Sequence, residues 1–491
     1  MGADFLKVKT STLLLTAAVV LGIAASGFGA YTYFNRDLTG CSPAEIQQFR
    51  AEHPKVNITY TVTIEGGEAP LLLRGDATRA ELTTPAQAED LASKKDYFPH
   101  MESIDLGSTH ITSKQIDLLR EAYPTATVVY NYINVLGEAV PADTEVLDWS
   151  ELSLSDLDRA IADIKHLPKL HTVELRGEDG MPYLSLNDAL RIHEAYPALH
   201  IGYAVKLFGQ TVTTDMEAVE YLRVSIGDKG LEEIRELLPL MDKLTYLKLD
   251  ACGTSDDAMA RIRADFPNIE IHWRVYAGSY NVMTDNYKFW AGGLTDQQTK
   301  SLIHLRSTKY LDVGHHNLTN LDFCANLKDL EVGIFAIGPL TDISGLKNCT
   351  KLEYLELMCN GRLEDEDLEI LSAMVDLEHL NIGDMPKLRS LAFTDNMTKL
   401  KRFHCTMNNI PQEEIDRFMA LHPDCEVNFS KGTDPILGGW RYNLGGQGIH
   451  DARYLLLREQ IGYLGMDESK WPKGELKKEI TYESTGIVPE Q

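Results

Sequence analysis

The sequence predicts a repeat-built α/β chain whose stacked strand-and-crossover units share one continuous core, irregular in its N-terminal half and preceded by one transmembrane helix. Three observations predict it. An uncharged apolar run spans Thr12 to Phe34. A helix-like segment ending in proline recurs five times. A shorter pattern, Leu-x-x-Leu-x-Leu, recurs between and after those segments. The chain has 491 residues, too many for one ordinary compact core and consistent with several domains or an elongated array.

Residues 12–34 hold Leu13, Leu14, Leu15, Val19, Val20, Leu21 and Ile23. A helix of that length spans about 35 Å, enough for the roughly 30 Å hydrocarbon core. Lys7 and Lys9 precede the run, and Arg36 and Asp37 follow it and cancel. The positive-inside rule therefore makes residues 1–11 a cytoplasmic stub and carries the rest outside, a single-pass protein of the cell membrane with its bulk extracellular. Two other readings stay open. Ala24-Ala25-Ser26 fits the cleavage site of a secretory signal. Leu38-Thr39-Gly40-Cys41 looks like a bacterial lipobox, which would put a lipid on Cys41.

Residues 35–300 read as irregular helix–strand super-repeats. Each helix stops before Pro54, Pro124, Pro197 or Pro267, and a fifth copy stops before Pro423. Proline lacks the amide the next turn needs, and its ring clashes with the turn before. After each proline the apolar period drops to two, as at Ile269, Ile271, Trp273 and Val275, which marks a half-buried strand. Gly66, Gly137, Gly209, Gly278 and Gly432 end these strands.

Residues 301–431 carry the shorter pattern at its densest. Its copies start at Leu327, Leu352, Leu377, Leu388 and Leu400, with earlier ones at Met101, Leu170 and Leu244. Alternate residues of such a strand point into a core that only stacked neighbours can close. An Asn at the strand end satisfies turn amides, as an apolar residue cannot. These residues resemble the leucine-rich-repeat family over about residues 75 to 430, and Leu352 to Asn360 matches its LxxLxLxxN pattern outright. Elsewhere Phe335, Met385, Thr109, Glu178 and Cys252 stand where the Asn is expected. The resemblance implies a curved α/β solenoid with parallel strands lining a concave, protein-binding face. Residues 432–491 then serve as a C-terminal cap and flexible tail, with a short helix over Ala452 to Ile461.

Composition narrows the function. Lys and Arg number 47 against 73 Asp and Glu, a formal net charge of −26, which argues against nucleic acid as a partner. Seven cysteines without a CxxC pair suit neither a disulfide scaffold nor a thiolate zinc site. Cys405 with Cys425, and Cys349 with Cys359, are conceivable pairs; Cys252 and Cys405 fall on apolar skeleton positions and read as buried thiols. His193-Glu194 and His200 lack the i, i+4 spacing of a zinc helix. Glu364 to Asp367 reads as the acidic start of a helix, and His315 and His316 as a surface turn. No nucleophile elbow, phosphate loop or dinucleotide fingerprint appears, so no enzyme, cofactor or metal is expected.

The candidate site is the strand face. The residues between apolar positions form two columns of binding candidates: Asp312, Glu331, Glu356, Asn381 and His404 in one, Tyr310, Asp329, Tyr354, His379 and Arg402 in the other. Ala392 and Ser390 join them from the copy at Leu388. Tyr and Arg are favoured where binding energy concentrates. The reading is an exported, membrane-anchored, non-catalytic recognition module of bacterial surface type, bound to the bilayer through residues 12–34 and to an unidentified protein or other surface macromolecule. An envelope scaffold or adhesin, and an enzyme with its site in the irregular half, are the alternatives.

Overall fold

The computed structural model describes residues 35–436 and 438–441. The stub, the apolar run 12–34 and the helix expected over residues 452–461 lie outside them. Among the described residues no helix is long and apolar enough to cross a membrane. The chain divides into two compact units, one ending at Gly202 and the other starting at Tyr203, so the division falls inside the segment 35–300.

In the first unit the helices Pro43–Glu52, Ser113–Ala122 and Leu186–Ala195 are each ten residues long. Ser42, Thr112 and Ser185 start them with reciprocal capping boxes, closed by Glu45, Gln115 and Asp188. Each ends at an aromatic ring residue immediately before the proline. His53, Tyr123 and Tyr196 still donate to the carbonyl four residues back, but have left the helical region, as a residue before proline must.

The strand expected after Pro54, after Pro124 and after Pro197 is two strands. Thr127–Val129 lies parallel to Ser103–Asp105, which lies parallel to Arg79–Glu81. The chain then turns into a separate antiparallel hairpin, Tyr132–Val135 with Glu138–Pro141. The next copy repeats the parallel part with Val146–Asp148, Thr172–Glu174 and His200–Gly202. Central residues such as Ile104, Val173 and Ile201 are buried in the core, as the leucine skeleton predicts. The expected strand-ending glycine sits in the hairpin turn. Leu136 and Gly137 both have positive φ, 56° and 101°, the pair of left-handed conformations that a two-residue turn needs to follow the strand twist.

The second unit opens with the same device. The hairpin Ala204–Leu207 with Gln210–Thr213 turns at Phe208 and Gly209. Strands Ala218–Leu222, Tyr246–Asp250 and Glu270–Ala277 run parallel, and the long third strand continues into an antiparallel pairing with Tyr280–Met283. Among the described residues Gly432, by contrast, is followed by no hairpin.

Seven parallel strands then stack in order: β1 (Lys288–Trp290), β2 (Tyr310–Asp312), β3 (Val332–Ile334), β4 (Tyr354–Glu356), β5 (His379–Asn381), β6 (Arg402–His404) and β7 (Glu426–Asn428). Their register corrects the frame of two copies. Val332 pairs with Tyr354, so Leu330, not Leu327, stands beside Leu352, and Gly333 takes the central leucine's place. Glycine is required there because Phe335 fills the space: a Cβ on Gly333 would lie 2.6 Å from its ring. The copy at Leu388 is no strand. Ala392–Thr394 is a 3₁₀ turn on the crossover side, so Ser390 and Ala392 leave the columns.

The strand ends hold the asparagine ladder. Asn360 Nδ2 donates to the carbonyls of Phe335 and Leu357, both at 2.8 Å, and Asn408 Nδ2 to that of Ile382 at 2.8 Å. Thr109 and Cys252 do the same more weakly, toward Leu82 at 3.2 Å and Tyr221 at 3.4 Å. His316 is no surface residue. It is buried in the asparagine position, with Nε2 3.1 Å from the Phe335 carbonyl and Nδ1 accepting from the Leu318 amide at 3.1 Å. The run after Arg362 behaves as expected, Glu364 capping the short helix Asp365–Leu368.

Candidate recognition face

Strand alternation puts the central residues Leu311, Leu355, Leu380 and Phe403 in the core and the flanking residues on the other side of the sheet. That second side carries its own cluster, built from Tyr310, Val332, Ile334, Ala336, Tyr354, Met358 and Trp440. Seven of the ten candidates are buried on it: Tyr310, Asp312, Tyr354, Glu356, Asn381, Arg402 and His404. None of these seven is open to solvent.

The cover over β4–β7 is the chain's own C-terminal stretch. Of the segment read as a cap, residues 433–436 and 438–441 lie across the strand face. Asn381 Nδ2 donates to the Pro435 carbonyl at 3.0 Å, and Asn428 Nδ2 to that of Gly438 at 3.4 Å. Gly383 leaves room for the proline, since a Cβ there would lie 2.5 Å from Pro435 Cβ. Trp440 is fully buried, its ring 5.5 Å from Tyr354 and 5.0 Å from His404. The Arg402 guanidinium lies over the indole, 4.3 Å from its centroid, and also donates to the Gly439 carbonyl.

Glu356 is the electrostatic centre. It is 0% exposed, and a bare carboxylate there would be costly. Trp440 Nε1 donates to its Oε1 at 2.8 Å, and the Tyr354 hydroxyl donates to the same oxygen. Arg441 grips Oε2 with both Nε, at 2.9 Å, and Nη2. Both oxygens are thus satisfied by charge-assisted or hydroxyl donors.

The other candidates sit apart from this seat. Asp329 and Glu331 lie in the turn before β3, outside both columns, because the true frame starts three residues later. Lys351 pairs with Asp329, and Lys309 Nζ reaches Glu331 Oε1 at 2.8 Å. Tyr310 donates to Glu331 Oε2 at 3.3 Å; its hydroxyl pKa is pushed up to about 12, chiefly by burial and then by that carboxylate. Asp312 accepts from the Gly314 amide at 2.9 Å. His379 is half-buried, 5.9 Å from the Tyr354 ring. Pro435, Trp440 and Arg441 were missed as site residues; the tryptophan after Gly438-Gly439 was their one sequence signal.

The described residues contain no group of three His, Cys, Asp or Glu side chains placed to hold a metal ion. All seven cysteines are free, and burial pushes the thiols of Cys349, Cys359, Cys405 and Cys425 up to about 12.

No family model and no curated protein matches the chain. Among solved structures, an internalin from Listeria monocytogenes is 16% identical, with 71% of this chain and 81% of that one covered, at a TM-score of 0.26. A leucine-rich-repeat protein of Leptospira interrogans is 13% identical over 81% of this chain and 90% of that one, at 0.26. A chain from the octameric complex of Latrophilin 3, Unc5D and FLRT2 is 14% identical over 69% and 87%, at 0.25. The chain's own geometry gives its class. Seven strands in parallel register, a leucine skeleton closing one core, and asparagine side chains bonded along the strand ends give it a leucine-rich-repeat-like fold.

Proposed function

We propose that the chain is an exported, membrane-anchored recognition module that binds a protein partner through the strand face of its second unit, without catalysis. One observation supports this reading: around Glu356 the strand face holds the chain's own C-terminal stretch by side-chain contacts. A fully buried carboxylate, an aromatic column and a buried guanidinium meet a stretch folded into turns through hydrogen bonds, ring contacts and an ion pair. Export and anchoring rest on the uncharged run 12–34 and the lysines before it. Asn35–Asp37 pairs in register with Asn57–Thr59, and processing at Cys41 would delete that strand, which favours a retained anchor or an upstream cleavage over the lipobox.

Protease shaving of intact cells producing the full chain tests the location. The repeats should disappear while a cytoplasmic control survives; repeats cleaved only after lysis would defeat the surface reading. A photo-crosslinking residue at His379 or Trp290, on the strand face, should capture a partner that the same residue at Lys347, exposed on a crossover, does not. Equal capture from all three positions would move the binding surface elsewhere.

A further inference from the structure

The seat around Glu356 is more selective than a general binding face. The flanking position of β3 holds an apolar side chain, Ile334, in the same buried cluster as Trp440. One strand further, the register partner of Ile334 is Glu356, and two strands beyond lies Arg402, with 1% exposure. These two charges are placed to read a defined pair of groups. Glu356 takes an indole N–H on one oxygen and a guanidinium on the other. Arg402 covers the indole's face and holds the carbonyl of the residue before it. Asn381, backed by the space at Gly383, holds a carbonyl farther upstream. Trp and Arg are the residues in which binding energy concentrates, and here they are adjacent, after two glycines that add no side chain of their own.

We propose that this seat is a recognition site for a peptide turn carrying consecutive tryptophan and arginine, and that residues 438–441, themselves in turns, occupy it in cis as a stand-in for that ligand. The inference rests on the recognition reading above and names its partner's chemistry. A tethered occupant acts at an effective concentration in the millimolar range, so a partner must outcompete it. Recognition is then conditional on release of the chain's own Trp440 and Arg441.

The test uses the full-length chain in detergent and a labelled synthetic peptide spanning residues 433–441, followed by fluorescence anisotropy. The double variant W440A/R441A should bind the peptide at least tenfold more tightly than the unaltered chain. Adding E356Q to that variant should remove the gain, and peptides lacking either the Trp or the Arg should bind at least tenfold more weakly. If the double variant does not melt cooperatively, R441Q, which withdraws only the guanidinium, is read in its place with the same expectation. A folded variant that binds no better than the unaltered chain, or whose binding ignores E356Q, overturns the proposal. So does a unaltered chain that dimerises by exchanging this stretch between copies, which would make a second copy the occupant. Crosslinks at His379 with no peptide binding would sink the Trp–Arg chemistry and leave the recognition reading standing. Peptide binding without extracellular exposure would do the reverse.

Discussion

Glu356 and Arg441 are 85 residues apart in sequence and form a forked ion pair on the strand face, with Arg441 Nε 2.9 Å from Glu356 Oε2. Neither side chain is more than a tenth exposed. Removing one partner of such a pair strands the other, so single substitutions should cost more than the pair is worth. A double-mutant cycle of Glu356→Gln and Arg441→Gln, read by urea unfolding, should give a coupling of roughly 1–3 kcal/mol. Each single variant should also become cleavable between residues 433 and 441 in limited proteolysis. Additive effects would mean the pair contributes no mutual stabilisation.

Gly333 and Phe335 are coupled by volume. A Gly333→Ala methyl would press on the Phe335 ring, and overpacking of this kind costs about 1–3 kcal/mol. Shrinking the ring should relieve it: Gly333→Leu with Phe335→Ala should be more stable than the sum of the single changes. Thermal melts of the three variants decide the matter. A neutral Gly333→Ala would disprove the corrected frame's packing argument.

The Phe335 carbonyl links two rungs of the ladder, since both Asn360 and His316 lie within hydrogen-bond distance. Asn360→Ala leaves buried carbonyls without their donor and should cost about 1–3 kcal/mol in urea unfolding.

Protonation is the special weakness of His316. Its Nδ1 accepts from Leu318, so a second ring proton would face a donor, and burial already lowers its pKa below the ordinary histidine value. His272 and His304 are lowered too, first by burial. The unfolded chain therefore takes up more protons than the folded one on the acid side. Stability from these groups is complete above the unfolded value of about 6.5 and is lost as pH falls through it toward their lower folded values. Unfolding midpoints at pH 7.5 and pH 5 should show the decline, and His316→Asn should make it smaller. An identical decline in that variant would clear His316 of the effect.

The thiols offer a further check. Cys324 is fully buried and Cys405 nearly so, their pKa values raised by burial, so a thiol reagent at pH 8 should leave them unmodified in the native chain. In urea all seven cysteines should react. Fewer would reveal a disulfide.

The helices that stop before proline were legible because the rule acts within one turn. Tyr123 or Phe266 must leave the helix whatever else the chain does. The leucine skeleton was legible for the same reason, through the local alternation at Ile104 or Leu355. At β3 it misled, because the central position is Gly333, whose reason for being glycine is a ring two residues away. The candidate columns named Glu356, Tyr354 and Arg402 correctly as face residues. Their burial was invisible, since Trp440 reaches Arg402 across 38 residues and Glu356 across 84. No local pattern reports a partner at either separation. His316 was misjudged because one histidine in an asparagine register looks, by sequence, like any polar turn.

The hairpins that turn at Gly66, Gly137, Gly209 and Gly278 recur about every 70 residues. Each hairpin pairs with itself, so the run of parallel strands before it ends without needing a partner strand from the next copy. A gene segment encoding one copy therefore carries its own closure, and duplicating or deleting it leaves no strand without its designed neighbour. Proteins of this kind should differ in length among relatives by whole copies of that size, with the junctions falling in the hairpin turns.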